Sequence, residues 1–220
     1  RHFYDFGGLY ANPSVTSAAI STITEKIKIR AGSVVSPLHN TIRIAEEWSM
    51  VDNLSQGRVA IAFAAGWQPN DFVIMPQNFE DRKNIMSKQV EEIQKLWQGE
   101  TVSLKNAKSK MIDINILPKP VQKTLPVWIT AAGNPETFEM AGKAGYNLLT
   151  HLLGQSISEV GEKIKVYRKA WKEAEHEGEG NLTLMLHTFV GPDERSVKET
   201  VREPMKNYLR SAVNLVKEAA

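Results

Sequence analysis

Hydrophobic residues recur along this chain with two alternating periods. Short blocks that are wholly apolar or small, such as residues 58–65 (RVAIAFAA), alternate with stretches in which apolar positions return every three or four residues. The first spacing reads as strands buried on both faces and the second as amphipathic helices. Asn12-Pro13 supplies an N-cap and a proline at the first helical position, and Val15, Ala18, Ala19 and Ile23 then form a helical apolar stripe. Residues 26–35 predict a strand. Residues 40–54 predict a helix with Ile44, Trp48, Val51 and Leu54 on one face, stopped near Gly57. Strand 58–65, a loop over 66–80 and a helix over 80–98 continue the alternation. Short alternating runs at 101–104 and 111–116 break it and predict a hairpin excursion at about 99–125. Strand 126–130, helix 135–144, strand 147–151, helix 156–177, strand 182–190 and a helix from Asp193 complete the pattern.

Five βα units in succession predict an α/β fold with a parallel sheet, read as a single domain over 1–220. A (β/α)8 barrel takes about 250 residues, and five strands do not close one. The pattern fits either an open doubly wound sheet or an incomplete segment of a barrel. The chain opens on Arg1 rather than on methionine, and the expectation is a domain truncated at both ends.

Composition narrows the chemistry. Lys and Arg number 27 against 25 Asp and Glu, a net charge of +2, with no basic stripe of the kind nucleic-acid binders carry. Lys105, Lys108 and Lys110 read as a solvated loop. The absence of cysteine excludes disulfides, thiolate metal sites and a cysteine nucleophile. No apolar run approaches the ~20 residues needed to span a bilayer, so a membrane partner is not expected and a cytoplasmic location is.

In either α/β architecture ligands sit at the carboxyl ends of the strands. Those ends read Gly32-Ser33-Val34, Ala64-Ala65-Gly66, Ala131-Ala132-Gly133-Asn134 and Thr150-His151. Small residues there either admit a flat ligand close to the backbone or simply fit tight turns. Gly133, Asn134 and Thr137 follow a strand and open a helix, which suits an anion as well as it suits an ordinary cap with Pro135 at N1. The glycine-rich nucleotide fingerprints are absent. None of the five histidines has metal-ligand spacing, so no metal site is expected. His176 lies in a charged helix end, His187 within a strand, and His39 in the turn before a helix. His2 and His151 lie at strand ends and are the better catalytic candidates. So few reactive side chains suit a protein whose chemistry is carried by a cofactor.

Three stretches resemble bacterial luciferase and its relatives in order and spacing: residues 1–15 (RHFYDFGGLYANPSV), residues 27–67 with the turn Asp52, Leu54, Ser55, Gly57, Arg58, and residues 125–154. Residues 66–72 (GWQPNDF) and 131–145 (AAGNPETFEMAGKAG) most resemble the luciferase-like domains of nonribosomal peptide and polyketide assembly lines. The resemblance implies a (β/α)8 TIM barrel of the luciferase-like type and a flavin-dependent monooxygenase. Reduced FMN would come from a separate flavin reductase. With O2, one oxygen atom would enter a small-molecule or carrier-protein-tethered natural-product intermediate. It implies a bulge with a non-prolyl cis peptide at Gly32-Ser33 or its neighbour. The ring would lie among Gly32, Ser33, Val34, Ala64, Ala65 and Gly66, the phosphate at Gly133, Asn134 and Thr137, and His151 near the ring. His2 is implied as the acid/base group, and a homodimer fits the family. Two positions depart from luciferase: Ala65 stands in place of a phosphate-contacting arginine, and Arg1 in place of an essential imidazole beside His2. Two alternatives share the barrel, a deazaflavin-dependent oxidoreductase and a non-catalytic scaffold that binds flavin or a carrier protein.

Overall fold

A computed structural model describes residues 12–219. Its centre is a parallel sheet of five strands in the order β1 (Ile29–Val35), β2 (Val59–Ala64), β5 (Val127–Thr130), β6 (Asn147–His151) and β7 (Leu182–Met185). Helices α2 (Thr41–Ser55), α3 (Arg82–Trp97), α4 (Pro135–Lys143) and α5 (Ile157–Glu173) connect successive strands and cover one face. A helix α1 (Pro13–Thr22) precedes β1, and a long helix α6 (Glu194–Ala219) follows β7. The predicted excursion is an antiparallel hairpin, β3 (Val102–Lys105) with β4 (Met111–Ile114).

The strands read as apolar runs because alternate residues meet two different apolar layers. Ile61, Phe63, Val127, Ile129 and Leu148 join Trp48, Val90, Ile93 and Phe138 in the main core under the helices. The opposite face carries Ala60, Ala62, Trp128 and Leu149 in a smaller cluster. The sheet is strongly curled. Ser33 on β1 reaches Thr130 on β5, hydroxyl to hydroxyl at 2.6 Å, although β2 lies between those strands. A Cβ at Gly32 would come within 3.3 Å of Leu149 on β6, three strands away. This is a parallel half-barrel rather than an open doubly wound sheet, and the inner side chains face its lumen.

The Asp52–Arg58 turn is a structural latch. The buried Asp52 carboxylate accepts from the backbone N–H groups of Val121 and Gln122 and from the Gln122 amide, tying the end of α2 to the approach to β5. The buried Arg58 guanidinium donates five times, to Ser55 O, Thr24 Oγ1, Ile27 O, Ser21 O and Thr24 O. The α2 stop forms at Gln56, which is left-handed (φ 56°), one residue before the expected Gly57.

Two elements depart from the periodicity. Helix α1 buries Ser14, Ser17 and Ser21 and leaves Val15 68% exposed. Its inner face is polar because it meets Glu47, which accepts from Ser14, and Arg58, which takes the Ser21 carbonyl. The final strand stops at Met185 instead of running to 190, so His187 lies beyond it and is exposed. No helix among the described residues is long and apolar enough to cross a membrane.

Candidate functional site

The carboxyl ends of the five strands open into one cleft with two lobes of about 640 and 680 Å³, each within the range of small-molecule sites. Ser33, Trp67, Thr130 and His151 line both lobes and mark the junction. The bulge on β1 makes this junction. Gly32 pairs with Ala62 and Val34 with Phe63, so Ser33 is the extra residue and turns inward beside Gly32. The Gly32-Ser33 peptide is cis.

In the first lobe, Ala64, Ala65 and Gly66 form one wall at the end of β2. Gly66 has φ +85°, and a Cβ there would lie 2.9 Å from both Phe72 and Val35, so only glycine fits the turn. The far wall is the loop from β5 into α4. Asn134 caps the helix by accepting from Glu136 N at 2.9 Å, which commits its side-chain oxygen to the helix. The N–H groups of Ala132, Gly133 and Asn134 donate to no backbone group among the described residues. Thr137 stands one step further along the cleft, and Gly133 has open space where a Cβ would be. Glu136 also lines this lobe; its carboxylate is held by Asn134 Nδ2 at 3.3 Å.

Helix α3 brings a cation to the opposite side. Arg82 is committed to the loop, donating to Gly66 O and Phe79 O and stacking on the Phe79 ring. Its neighbour Lys83 faces the lobe with Asn84 and Ser87. Sequence reasoning missed Lys83 because a lysine in a first helical turn looks like any solvated charge. Half-buried Lys163 Nζ braces the loop from behind, donating to Ala132 O and Gln155 Oε1.

His151 closes the junction. Its Nδ1 accepts from Leu153 N–H at 3.2 Å, which places the ring proton on Nε2. Burial lowers its pKa, so the ring is neutral near pH 7 and presents an N–H donor. The second lobe is bounded by the ends of β6 and β7 and by α6, whose Tyr208 ring packs against His187 at 4.4 Å.

Of the residues expected at the site, Ser33, Ala64, Ala65, Gly66, Gly133, Asn134, Thr137 and His151 line the first lobe, and Gly32 lines the second. The Val34 side chain instead points into the core, because the bulge restores outward alternation after Ser33. His2 lies outside the described residues. No cluster of metal-ligating side chains is present among the described residues.

A curled parallel sheet whose strand ends enclose an elongated cleft, lined by Lys83 and by backbone amides that meet no backbone acceptor among the described residues, defines a barrel-type α/β protein suited to a ligand with an anionic terminus. The chain belongs to the luciferase-like monooxygenase family, whose model matches residues 1–219. It is 24% identical over 195 residues to the oxygenase component of the flavin-dependent trigonelline monooxygenase of Acinetobacter baylyi, covering 87% of this chain and 54% of that protein. The chain thus spans about half the length of that relative. Its fold matches the monooxygenase RslO1 from Streptomyces bottropensis with a TM-score of 0.88 at 20% identity, over 99% of this chain and 67% of the other. It also matches an F420-dependent secondary alcohol dehydrogenase with a TM-score of 0.73 at 20% identity, over 91% of this chain and 62% of that one.

Proposed function

We propose that this chain carries the cofactor face of a two-component flavin monooxygenase. Reduced FMN comes from a separate flavin reductase. With O2, one oxygen atom enters an organic intermediate, free or tethered to a carrier protein. The observation behind this reading is the first lobe. Its amides at Ala132–Asn134, which meet no backbone acceptor among the described residues, and the Thr137 hydroxyl face Lys83 across the lobe, while small strand ends and the Ser33–Thr130 hydroxyl pair line the rest. Such a cleft suits a phosphate on a chain that ends in a planar ring. Lys83 supplies the positive charge that Ala65 does not. The flavin supplies the redox chemistry when bound. The protein's part is to hold the phosphate, keep water from the ring and offer the neutral His151 Nε2–H at its edge. His2 is the group we assign to proton transfer. The relative's description as an oxygenase component supports a separate reductase.

A second reading, a deazaflavin-dependent oxidoreductase, is favoured by the likeness to the F420-dependent dehydrogenase. Titrating the full-length protein with FMN and with F420, followed by flavin fluorescence, separates the two. We expect FMN to bind at about micromolar Kd, near 8 kcal/mol. Lys83→Ala should weaken it roughly 5- to 30-fold, the loss of one charge-assisted contact of about 1–2 kcal/mol. Gly133→Val fits the protein, since nothing lies within 4 Å of its Cβ, but obstructs the lobe. It should abolish binding without lowering the unfolding temperature. Preference for F420 would transfer the assignment to the second reading, and failure to bind either would sink both.

A further inference from the structure

Two ties outside the lining hold the cleft together. One joins α6 to the loop after β2, where the buried Gln68 amide donates to the Leu215 carbonyl. The other lies behind the strand ends and centres on Lys163 of α5. Its ammonium donates to the Ala132 carbonyl at 3.2 Å and to Gln155 Oε1 at 2.7 Å. The Gln155 amide passes the connection on, donating to Thr150 Oγ1 and to the His151 carbonyl. One lysine and one glutamine therefore tie the loop after β5 to the end of β6.

The bond to Ala132 fixes a direction as well as a position. The Ala132 carbonyl and the Gly133 N–H belong to one trans peptide unit, so they point opposite ways. With the carbonyl held from α5, the N–H is turned to the lobe that Gly133 lines. Glycine makes such a hold necessary. A flip of this peptide changes ψ of Ala132 and φ of Gly133, and glycine adopts either sign of φ with little cost. The space beside Gly133 is open, with nothing within 4 Å of a Cβ placed there, so packing does little to keep the peptide in place. A flipped peptide would aim its carbonyl oxygen at an anion. A cation on the carbonyl also polarises the amide and makes its N–H the stronger donor.

We infer that Lys163 is a positioning residue for the anion end of the cleft. From behind, it orients and polarises the Ala132–Gly133 peptide so that the Gly133 N–H meets the anion, which on the flavin reading is the FMN phosphate. The assignment rests on that reading and deepens it. Lys83 of α3 lines the lobe and acts on the anion directly, whereas Lys163 acts through a peptide.

The test compares FMN with riboflavin, which has the same ring and no phosphate, in fluorescence titrations of the full-length protein and its Lys163→Met variant. The substitution should weaken FMN about tenfold, the size of one charge-assisted hydrogen bond, and change riboflavin affinity less than about twofold. Equal losses for both flavins, the mark of a merely structural lysine, or no loss for either overturn the inference. Lys163→Gln gives the same comparison should the methionine variant lose its circular-dichroism signature. A second readout needs no flavin. In protein carrying isotope-labelled glycine, inorganic phosphate should shift the Gly133 amide resonance, identified by its loss in Gly133→Ala, and Lys163→Met should abolish that shift. A Gly133 resonance that phosphate leaves in place, or moves alike in both proteins, overturns the inference. A phosphate response that depends on Lys163, without FMN binding, sinks the flavin reading and leaves the role of the lysine standing.

Discussion

Arg58 shows how much of this sequence is spent on holding a turn. All five of its N–H donors are used, four of them on main-chain carbonyls around the start of β1 and the end of α2. Lysine keeps the charge but has three donors, so Arg58→Lys leaves at least two of the five acceptors without this partner. We expect a loss of about 2–4 kcal/mol, read from the midpoint of urea unfolding. Histidines give the stability its pH dependence. Burial is the largest influence on both His39 and His151 and lowers their pKa below the usual 6.5, with Glu47 opposing it at His39. The unfolded chain takes up these protons near pH 6.5 and the folded chain only at lower pH. Stability should therefore fall as pH drops from about 7 towards 5, and His151→Gln should flatten that slope in unfolding curves measured at both ends of the range.

At the scale of elements, helix α4 must lie against α5 for its first turn to face the cleft. Gly142 makes that approach: a Cβ there would overlap the Tyr167 carbonyl oxygen and lie 3.0 Å from Ala170 and from Trp171 N. Alanine gains about 1 kcal/mol of helix propensity but overpacks the contact by about 1–3 kcal/mol or more. Gly142→Ala should lower the melting temperature by roughly 2–8 °C and weaken flavin binding with it. The element order was legible because strands buried on both faces and helices buried on one leave different periods. Asn147–His151 matches the sequence reading residue for residue. Helix α1 was misread because its inner face is serine bonded to a carboxylate, and hydrophobicity carries no trace of such a contact. At the cleft, the glycines and His151 stood out at strand ends. Lys83 and Tyr208 did not, since their relevance depends on which helix faces reach the mouth, and that is a tertiary fact.

For the whole molecule, the five-stranded half-barrel leaves β1 and β7 as its outer strands among the described residues. Beside β7, Leu184, Met185 and Leu186 are each more than two-fifths exposed. An apolar strand of this kind pairs with other copies. The 220-residue chain should self-associate as its concentration rises, and Leu184→Lys should shift its sedimentation profile towards the monomer. The link between Gln68 and Leu215 joins positions 147 residues apart. Bringing such distant points together costs chain entropy that local contacts do not pay, so contacts of this range form late. A ribosome makes the β2 end of the cleft long before it makes α6. The emerging protein therefore passes through an interval in which the β2 end of the cleft is assembled and the β6–β7 end is still unroofed. Arrested nascent chains that have exposed β1 to α5 should already protect the β2 end of the cleft from protease, and the loop holding Gln68 should gain protection only once α6 has emerged.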